Sequence, residues 1–130
     1  MKSLHLLASF RFALQGIAHA FQTQRNFKIH TAITTLVIIV GLIVGLSAEQ
    51  WAILCVTIAL VFVAELTNTS LEAVVDHVSP EFHALAKVAK DCAAGAVFVA
   101  AMMAVVVGVL VIGPRLINVL AANNISLSPR

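Results

Sequence analysis

Long apolar blocks separated by short polar segments dominate this sequence. The block at residues 31–48 is close to the ~20 residues that cross the hydrocarbon core of a bilayer. A second block begins at a tryptophan, but residues 51–64 alone are too short to cross, so the helix must continue through Glu65. A third block ends near a Gly-Pro pair. The pattern therefore predicts three membrane-spanning helices, at residues 31–48, 51–70 and 92–113.

The N-terminal segment at residues 3–22 shows helical periodicity rather than a continuous apolar run. Its apolar residues share one side of the predicted helix: Leu4, Leu7, Phe10, Leu14, Ile17, Ala18 and Phe21. This amphipathic pattern is typical of a helix that lies in the membrane interface instead of crossing the bilayer. Phe12 falls among the polar positions, which suggests that it faces a protein groove or a substrate.

Turn and cap residues predict where the helices end. We expect a tight connection at residues 47–50 between the first two spans. Ser79 is expected to cap a short amphipathic helix that starts at Pro80 and runs through Lys90. The Gly-Pro pair at residues 113–114 is expected to end the third span, because proline disrupts a helix interior.

Composition places the chain in a membrane. Of its 130 residues, 61% are hydrophobic and 11% are charged, whereas a soluble domain is about half apolar and a quarter charged. We therefore predict an all-α integral membrane protein with one domain at residues 1–118 and a polar tail at residues 119–130. The net charge of +2 is too small to indicate a nucleic-acid partner.

The positions of the basic residues predict the orientation in the membrane. Four precede the first span and two lie between the second and third spans, namely Lys2, Arg11, Arg25, Lys28, Lys87 and Lys90. Basic residues favour the cytoplasmic side. The N-terminus and residues 65–91 are therefore expected to face the cytoplasm, where ATP is available, and the C-terminus is expected to lie outside.

Polar residues gather on one face of the second span. On a helix they occupy an arc of roughly 100°: Glu65, Asn68, Thr69, Glu72 and Asp76. Clustered carboxylates are costly without a nearby cation, and hard oxygen ligands suit Mg²⁺. The alternative for Glu72 and Asp76 is an ordinary solvated helix face.

Glu65 stands out because an acid at membrane depth is costly and usually functional. At the lipid boundary, its carboxylate is well placed to accept a proton from a lipid hydroxyl. The alternative is a residue at the end of the span that reaches the lipid headgroups or pairs with Arg25 or Lys28.

A second cluster follows at Lys87, Lys90 and Asp91, whose lysines suit phosphate oxygens but could equally be ordinary residues flanking a span. Together, the two clusters suggest phosphoryl transfer to a lipid on the cytoplasmic side. The alternative function is non-enzymatic, either an ion or proton pathway or an assembly subunit. A proton relay would require acids spread across the bilayer, but residues 93–113 of the third span contain no ionisable group.

Two blocks carry a family resemblance. Residues 65–76, ELTNTSLEAVVD, resemble the ExxNTxxExxVD signature of the prokaryotic diacylglycerol kinase/undecaprenol kinase family. Residues 86–97, AKVAKDCAAGAV, are similar to its AKxxKDxAAGAV block. Weaker similarity covers Phe12 and residues 25–30, so the resemblance extends over most of residues 5–113 with the motifs in order.

The resemblance implies a homotrimer of three-span subunits in the bacterial cytoplasmic (inner) membrane, with an interfacial N-terminal helix. It implies phosphorylation of a membrane lipid alcohol that depends on ATP and Mg²⁺. It further implies a role for each matched residue. Glu65 would be the general base, Glu72 would bind the metal, and Asn68 and Asp76 would contact metal, phosphates or nucleotide. Lys90 would contact the phosphates and Asp91 the nucleotide, with Glu81 and His83 near the base and ribose.

One departure from the family pattern concerns the metal. The family usually has a metal-binding Glu where this chain has Gln24, whose amide oxygen can ligate Mg²⁺ but brings no charge. Residues 25–30 look more like members from Gram-positive bacteria, whose substrate is undecaprenol, than like the diacylglycerol-specific branch. Both lipid alcohols remain candidate substrates.

Overall fold

The fold consists of helices throughout the part of the chain that is described. The computed structural model describes residues 2–126, with side chains for residues 6–122. Its helices are α1 (Lys2–Thr23), α2 (Arg25–Val44), α3 (Ala48–Val78) and α4 (Ala84–Ser126). The last three are long and apolar enough to cross a membrane. The all-helical fold and the three spans are therefore confirmed, although the interfacial position of α1 stays a prediction.

The turn between α2 and α3 is tighter and earlier than predicted. Gly45 ends α2 with a left-handed φ of 67°, which glycine adopts without the steric penalty of a Cβ. Ser47 then caps α3, because its hydroxyl accepts from the Gln50 N–H and the Gln50 side chain accepts from the Ser47 N–H. This reciprocal capping box starts α3 at Ala48.

Helix α3 is much longer than the predicted span at residues 51–70. Its 31 residues extend about 46 Å, well beyond the ~30 Å hydrocarbon thickness of a bilayer. The helix continues to Val78 without interruption. All five residues of the predicted polar face therefore lie on one continuous helix.

The predicted break at Gly113 and Pro114 is wrong. Helix α4 continues from Ala84 to Ser126 with Pro114 inside it, so most of the predicted tail at residues 119–130 is helical as well. Proline removes one backbone hydrogen bond, but a helix in an apolar environment keeps its remaining bonds because no water replaces them. The strength of that constraint explains why Pro114 does not end the helix.

The connection between α3 and α4 also differs from the prediction. Ser79 is the C-terminal cap of α3, where its N–H donates to the Val75 carbonyl. Pro80 is therefore not a first helical residue, and α4 begins four residues later at Ala84. The predicted short helix ending at Lys90 is the first part of α4 rather than a separate element.

A hydrophobic cluster packs α2, α3 and α4 together at the α2–α3 turn. Its buried members are Val44, Leu46, Leu54 and Val111. Trp51 packs against this cluster and approaches α2 at Gly41, where a Cβ would lie 2.7 Å from the Trp51 ring. The absence of a side chain at position 41 is therefore what admits the tryptophan.

We expect Gly41→Ala to destabilise the protein by about 1–3 kcal/mol, because the new methyl group overpacks the contact with Trp51 and Leu46. Unfolding by SDS in mixed micelles, followed by circular dichroism, measures the change. Gly95→Ala is the matched control, since its Cβ would meet nothing within 4 Å. Equal stability of the two variants would contradict the packing role of Gly41.

An aromatic group joins the first three helices at the other end of the α2–α3 hairpin. Phe27 of α2 is buried, with its ring centroid 6.4 Å from that of Phe21 in α1 and 5.0 Å from that of Phe62 in α3. These contacts fix the start of α2 against the middle of α3. The segment that follows Phe27 is thereby held beside Glu65.

Candidate active site

Glu65 is buried at the interface between α3 and α2. Its side chain is 2% exposed, and its Oε1 atom lies 3.2 Å from Nε2 of His30. These two atoms are within hydrogen-bonding distance, but the ring N–H is not aligned with Oε1, which has no directed hydrogen bond. The Thr69 hydroxyl donates to the backbone carbonyl of Glu65 instead of its carboxylate. A buried acid with one imidazole beside it is therefore the central feature of the site.

His30 is the residue that the sequence analysis missed. The alternative role considered for Glu65 was pairing with Arg25 or Lys28, but Lys28 Nζ donates to the Gln22 carbonyl at 3.0 Å. Helices α2 and α3 form an antiparallel hairpin that turns near residue 46. Residue 30, which lies 16 residues before the turn, is therefore level with about residue 62, within one helical turn of Glu65. Counting residues outward from the turn could have identified His30 once both helices were placed.

Asn68 and Glu72 form a pair one and two turns beyond Glu65 on α3. The Asn68 amide Nδ2 donates to Glu72 Oε1 at 3.1 Å, and Asn68 is itself buried. The Asn68 Oδ1 atom is buried without a hydrogen-bond partner. A buried acceptor of this kind is costly unless a cation or donor reaches it.

These two residues fit a Mg²⁺ ion. Mg²⁺ commonly uses one or two carboxylates and keeps its other positions for waters and substrate phosphates. Glu72 supplies the carboxylate and Asn68 Oδ1 supplies an unpartnered oxygen. Within residues 6–122 no group of three or more His, Cys, Asp or Glu side chains could enclose a metal by itself. These two side chains could therefore supply two of the ligands of a Mg²⁺ ion.

The structure joins the two polar clusters across the α3–α4 connection. Lys90 Nζ of α4 lies 2.9 Å from Asp76 Oδ1 of α3, and both side chains are more than a third exposed. Lys87 and Asp91 form a separate pair along α4. Lys90 and Asp76 are therefore brought together by folding, whereas Asp91 is engaged with the other lysine.

Among the side chains of residues 6–122, no hydrogen bond or ion pair joins four other predicted site residues to this polar face. Gln24 is half-buried at the cap of α2, where its side chain makes no capping hydrogen bond. Phe12 is 66% exposed on α1. Glu81 and His83 are exposed in the link between α3 and α4, where the His83 Nδ1 accepts from the Leu85 N–H. Their functional roles stay predictions.

Two apolar cavities lie between the helices, and neither has Glu65 in its lining. One, of about 460 Å³, lies among α2, α3 and α4, and its lining includes His30, Val61 and Ala104. The other, of about 540 Å³, lies among α1, α2 and α3 and is lined by residues that include Phe27 and Leu66. Two neighbours of Glu65 thus border apolar space, namely His30 in the first cavity and Leu66 in the second.

Comparison with known proteins gives consistent matches. The family model described as prokaryotic diacylglycerol kinase matches residues 11–112. A diacylglycerol kinase of Synechocystis sp. is 49% identical over 117 residues, which cover 89% of this chain and 67% of that protein. The undecaprenol kinase of Bacillus subtilis is 43% identical over 108 residues, covering 83% and 88%. The diacylglycerol kinase of Escherichia coli K12 is 27% identical over 95 residues, covering 73% and 78%.

Proposed function

Because this chain belongs to the prokaryotic diacylglycerol kinase family, and is therefore a lipid kinase, we propose that it transfers the γ-phosphoryl group of ATP to a membrane lipid alcohol with Glu65 as general base. In this step the lipid hydroxyl oxygen forms a bond to the γ-phosphorus. The bond from that phosphorus to the bridging oxygen of ADP breaks, and the hydroxyl proton moves to the Glu65 carboxylate. The non-enzymatic alternative has no support in these similarities.

The observation that carries the proposal is the order of groups along α3. Glu65 is buried beside His30, which lines an apolar cavity, and Glu72 follows about 10 Å further along the same helix. Asp76, paired with Lys90, follows one turn later. A lipid hydroxyl at Glu65 would thus face phosphates held further along the helix, and positioning of this kind supplies most of the catalysis in phosphoryl transfer.

Mg²⁺ would be held by Glu72 and Asn68, with Gln24 as an additional ligand. When bound, the ion neutralises negative charge on the phosphates. Lys90 would contact phosphate oxygens, exchanging its partner Asp76 for the nucleotide. We assign Asp76, Asp91, Glu81 and His83 to the nucleotide and Phe12 to the lipid, on the strength of the family resemblance.

We also propose the membrane arrangement that the family resemblance implies. The N-terminus and the site face the cytoplasm in the bacterial inner membrane, with α1 at the interface. The protein is a homotrimer in this arrangement, as the family resemblance implies. Chemical crosslinking in native membranes followed by denaturing electrophoresis tests the trimer.

The acceptor lipid is decided by a direct assay. Relatives named undecaprenol kinase and diacylglycerol kinase are both similar to this chain, so we expect transfer to at least one of these alcohols. Purified protein is given γ-labelled ATP, Mg²⁺ and either undecaprenol or diacylglycerol in mixed micelles, and the labelled lipid is measured. The ratio of kcat/KM values identifies the preferred lipid. Absence of label in both lipids, from protein that remains helical, would contradict the proposed substrates.

A further inference from the structure

We propose that His30 is a positioning residue for Glu65, whose Nε2–H holds Oε1 of the buried carboxylate and leaves the other oxygen to receive the proton of the lipid hydroxyl. This role rests on the proposed function of Glu65 as general base. It assigns a task to a residue of α2 that lies outside the polar face of α3.

The contact joins two helices at a buried point. The His30 side chain is 18% exposed and that of Glu65 is 2% exposed, with 3.2 Å between Nε2 and Oε1. Leaving a buried carboxylate oxygen without a donor is costly. Since the ring nitrogen is already within hydrogen-bonding distance, a small rotation of the imidazole aligns its N–H with the oxygen.

Two polar neighbours of Glu65 on α3, and Lys28 on α2, already have hydrogen-bond acceptors. The Thr69 hydroxyl donates to the Glu65 backbone carbonyl at 2.8 Å, and the Asn68 amide donates to Glu72 at 3.1 Å. The Lys28 ammonium donates to the Gln22 carbonyl. Among residues 6–122, His30 is therefore the donor placed to orient this carboxylate.

The apolar surroundings of His30 strengthen its contact with the Glu65 carboxylate. His30 also lines the apolar cavity among α2, α3 and α4, so its contact with the carboxylate borders apolar space. Hydrogen bonds are stronger in such low-dielectric surroundings. A general base works when it lies within hydrogen-bond reach of the proton. If the carboxylate turned away, kcat would fall while the affinity for nucleotide would stay the same.

The test compares His30→Phe, which keeps an aromatic ring but has no donor, with His30→Gln, which keeps an N–H donor. We expect His30→Phe to lower kcat for lipid phosphorylation about 10- to 100-fold while KM for ATP stays within roughly twofold. His30→Gln should recover part of the lost kcat. Circular dichroism verifies that each variant remains helical. If His30→Phe does not fold, the role of His30 is tested by kcat of His30→Gln and by the ¹⁵N spectrum of the histidines.

A spectroscopic measurement tests the contact without relying on activity. In protein with ¹⁵N-labelled histidine, the His30 Nε2 resonance is the one that disappears in a His30 variant. We expect it to shift in Glu65→Gln, because the neighbouring charge is lost. A resonance that does not move, or a His30→Phe variant with normal kcat, would overturn the role of His30.

The outcomes also separate this role from the proposed function. Full turnover of Glu65→Gln would overturn the general base, and the role of His30 with it. Loss of turnover in Glu65→Gln combined with normal kcat in His30→Phe would overturn the role of His30 alone. Equal losses in His30→Phe and His30→Gln would show that the donor is not what matters and would also overturn it.

Discussion

Replacing Glu65 by glutamine should lower the rate of lipid phosphorylation by about 10²- to 10⁴-fold, the usual contribution of a general base. Glutamine has nearly the shape of glutamate, so it preserves packing at a side chain that is 2% exposed. It cannot accept the hydroxyl proton as a carboxylate does. The measurement is kcat for transfer of labelled γ-phosphate, with nucleotide binding measured separately by equilibrium dialysis.

Glu49→Gln is the matched control for this experiment. Glu49 lies in the first turn of the same helix and is exposed, about 24 Å along the axis from Glu65. We expect Glu49→Gln to leave kcat unchanged. This result would show that removing a carboxylate from α3 does not by itself lower activity. Normal turnover in Glu65→Gln with ATP binding intact would refute the assignment of Glu65 as general base.

Replacing Glu72 by glutamine should raise the Mg²⁺ concentration for half-maximal activity by roughly 10- to 100-fold, by analogy with losses in metal-ligand shells. The variant removes the charge at the proposed metal site. Its amide oxygen can still accept from Asn68 Nδ2, so the pair on α3 is preserved. Titration of activity with Mg²⁺ at saturating ATP measures the change, with Glu49→Gln again as control.

Gln24→Glu tests the same site from α2. Restoring the carboxylate that the family usually carries at this position should lower the Mg²⁺ requirement. If Gln24 is not at the metal, the requirement will stay the same or rise in this variant. If the Mg²⁺ requirement of Glu72→Gln is unaltered, Glu72 is not a metal ligand, whatever the result for Gln24→Glu.

Among the predictions that depended on local patterns, some were confirmed and others were wrong. Helical periodicity placed Glu65, Asn68 and Asp76 on one helix, and α3 does contain all three without a break. The prediction failed at Pro114, since the preference of proline to end helices is weaker than the need of an apolar helix to keep its backbone bonded.

The predictions that failed at the site concerned contacts between helices. Glu65 was expected to reach Arg25 or Lys28 if it paired at all, and it lies beside His30 instead. The choice among these residues depends on how α2 is rotated about its own axis, and the buried Phe27 sets that rotation through its contacts with Phe21 and Phe62. No local pattern near Glu65 contains that information.

The sequence by itself therefore determined that this protein has three membrane-crossing helices and a face of polar residues on the second, because hydropathy and helical periodicity are properties of neighbouring positions. Only the tertiary structure decided that His30 lies beside Glu65, that Lys90 pairs with Asp76, and that Gly41 admits Trp51. Each of these depends on the turns and rotations that bring distant segments together, and packing between helices fixes those for the whole chain at once.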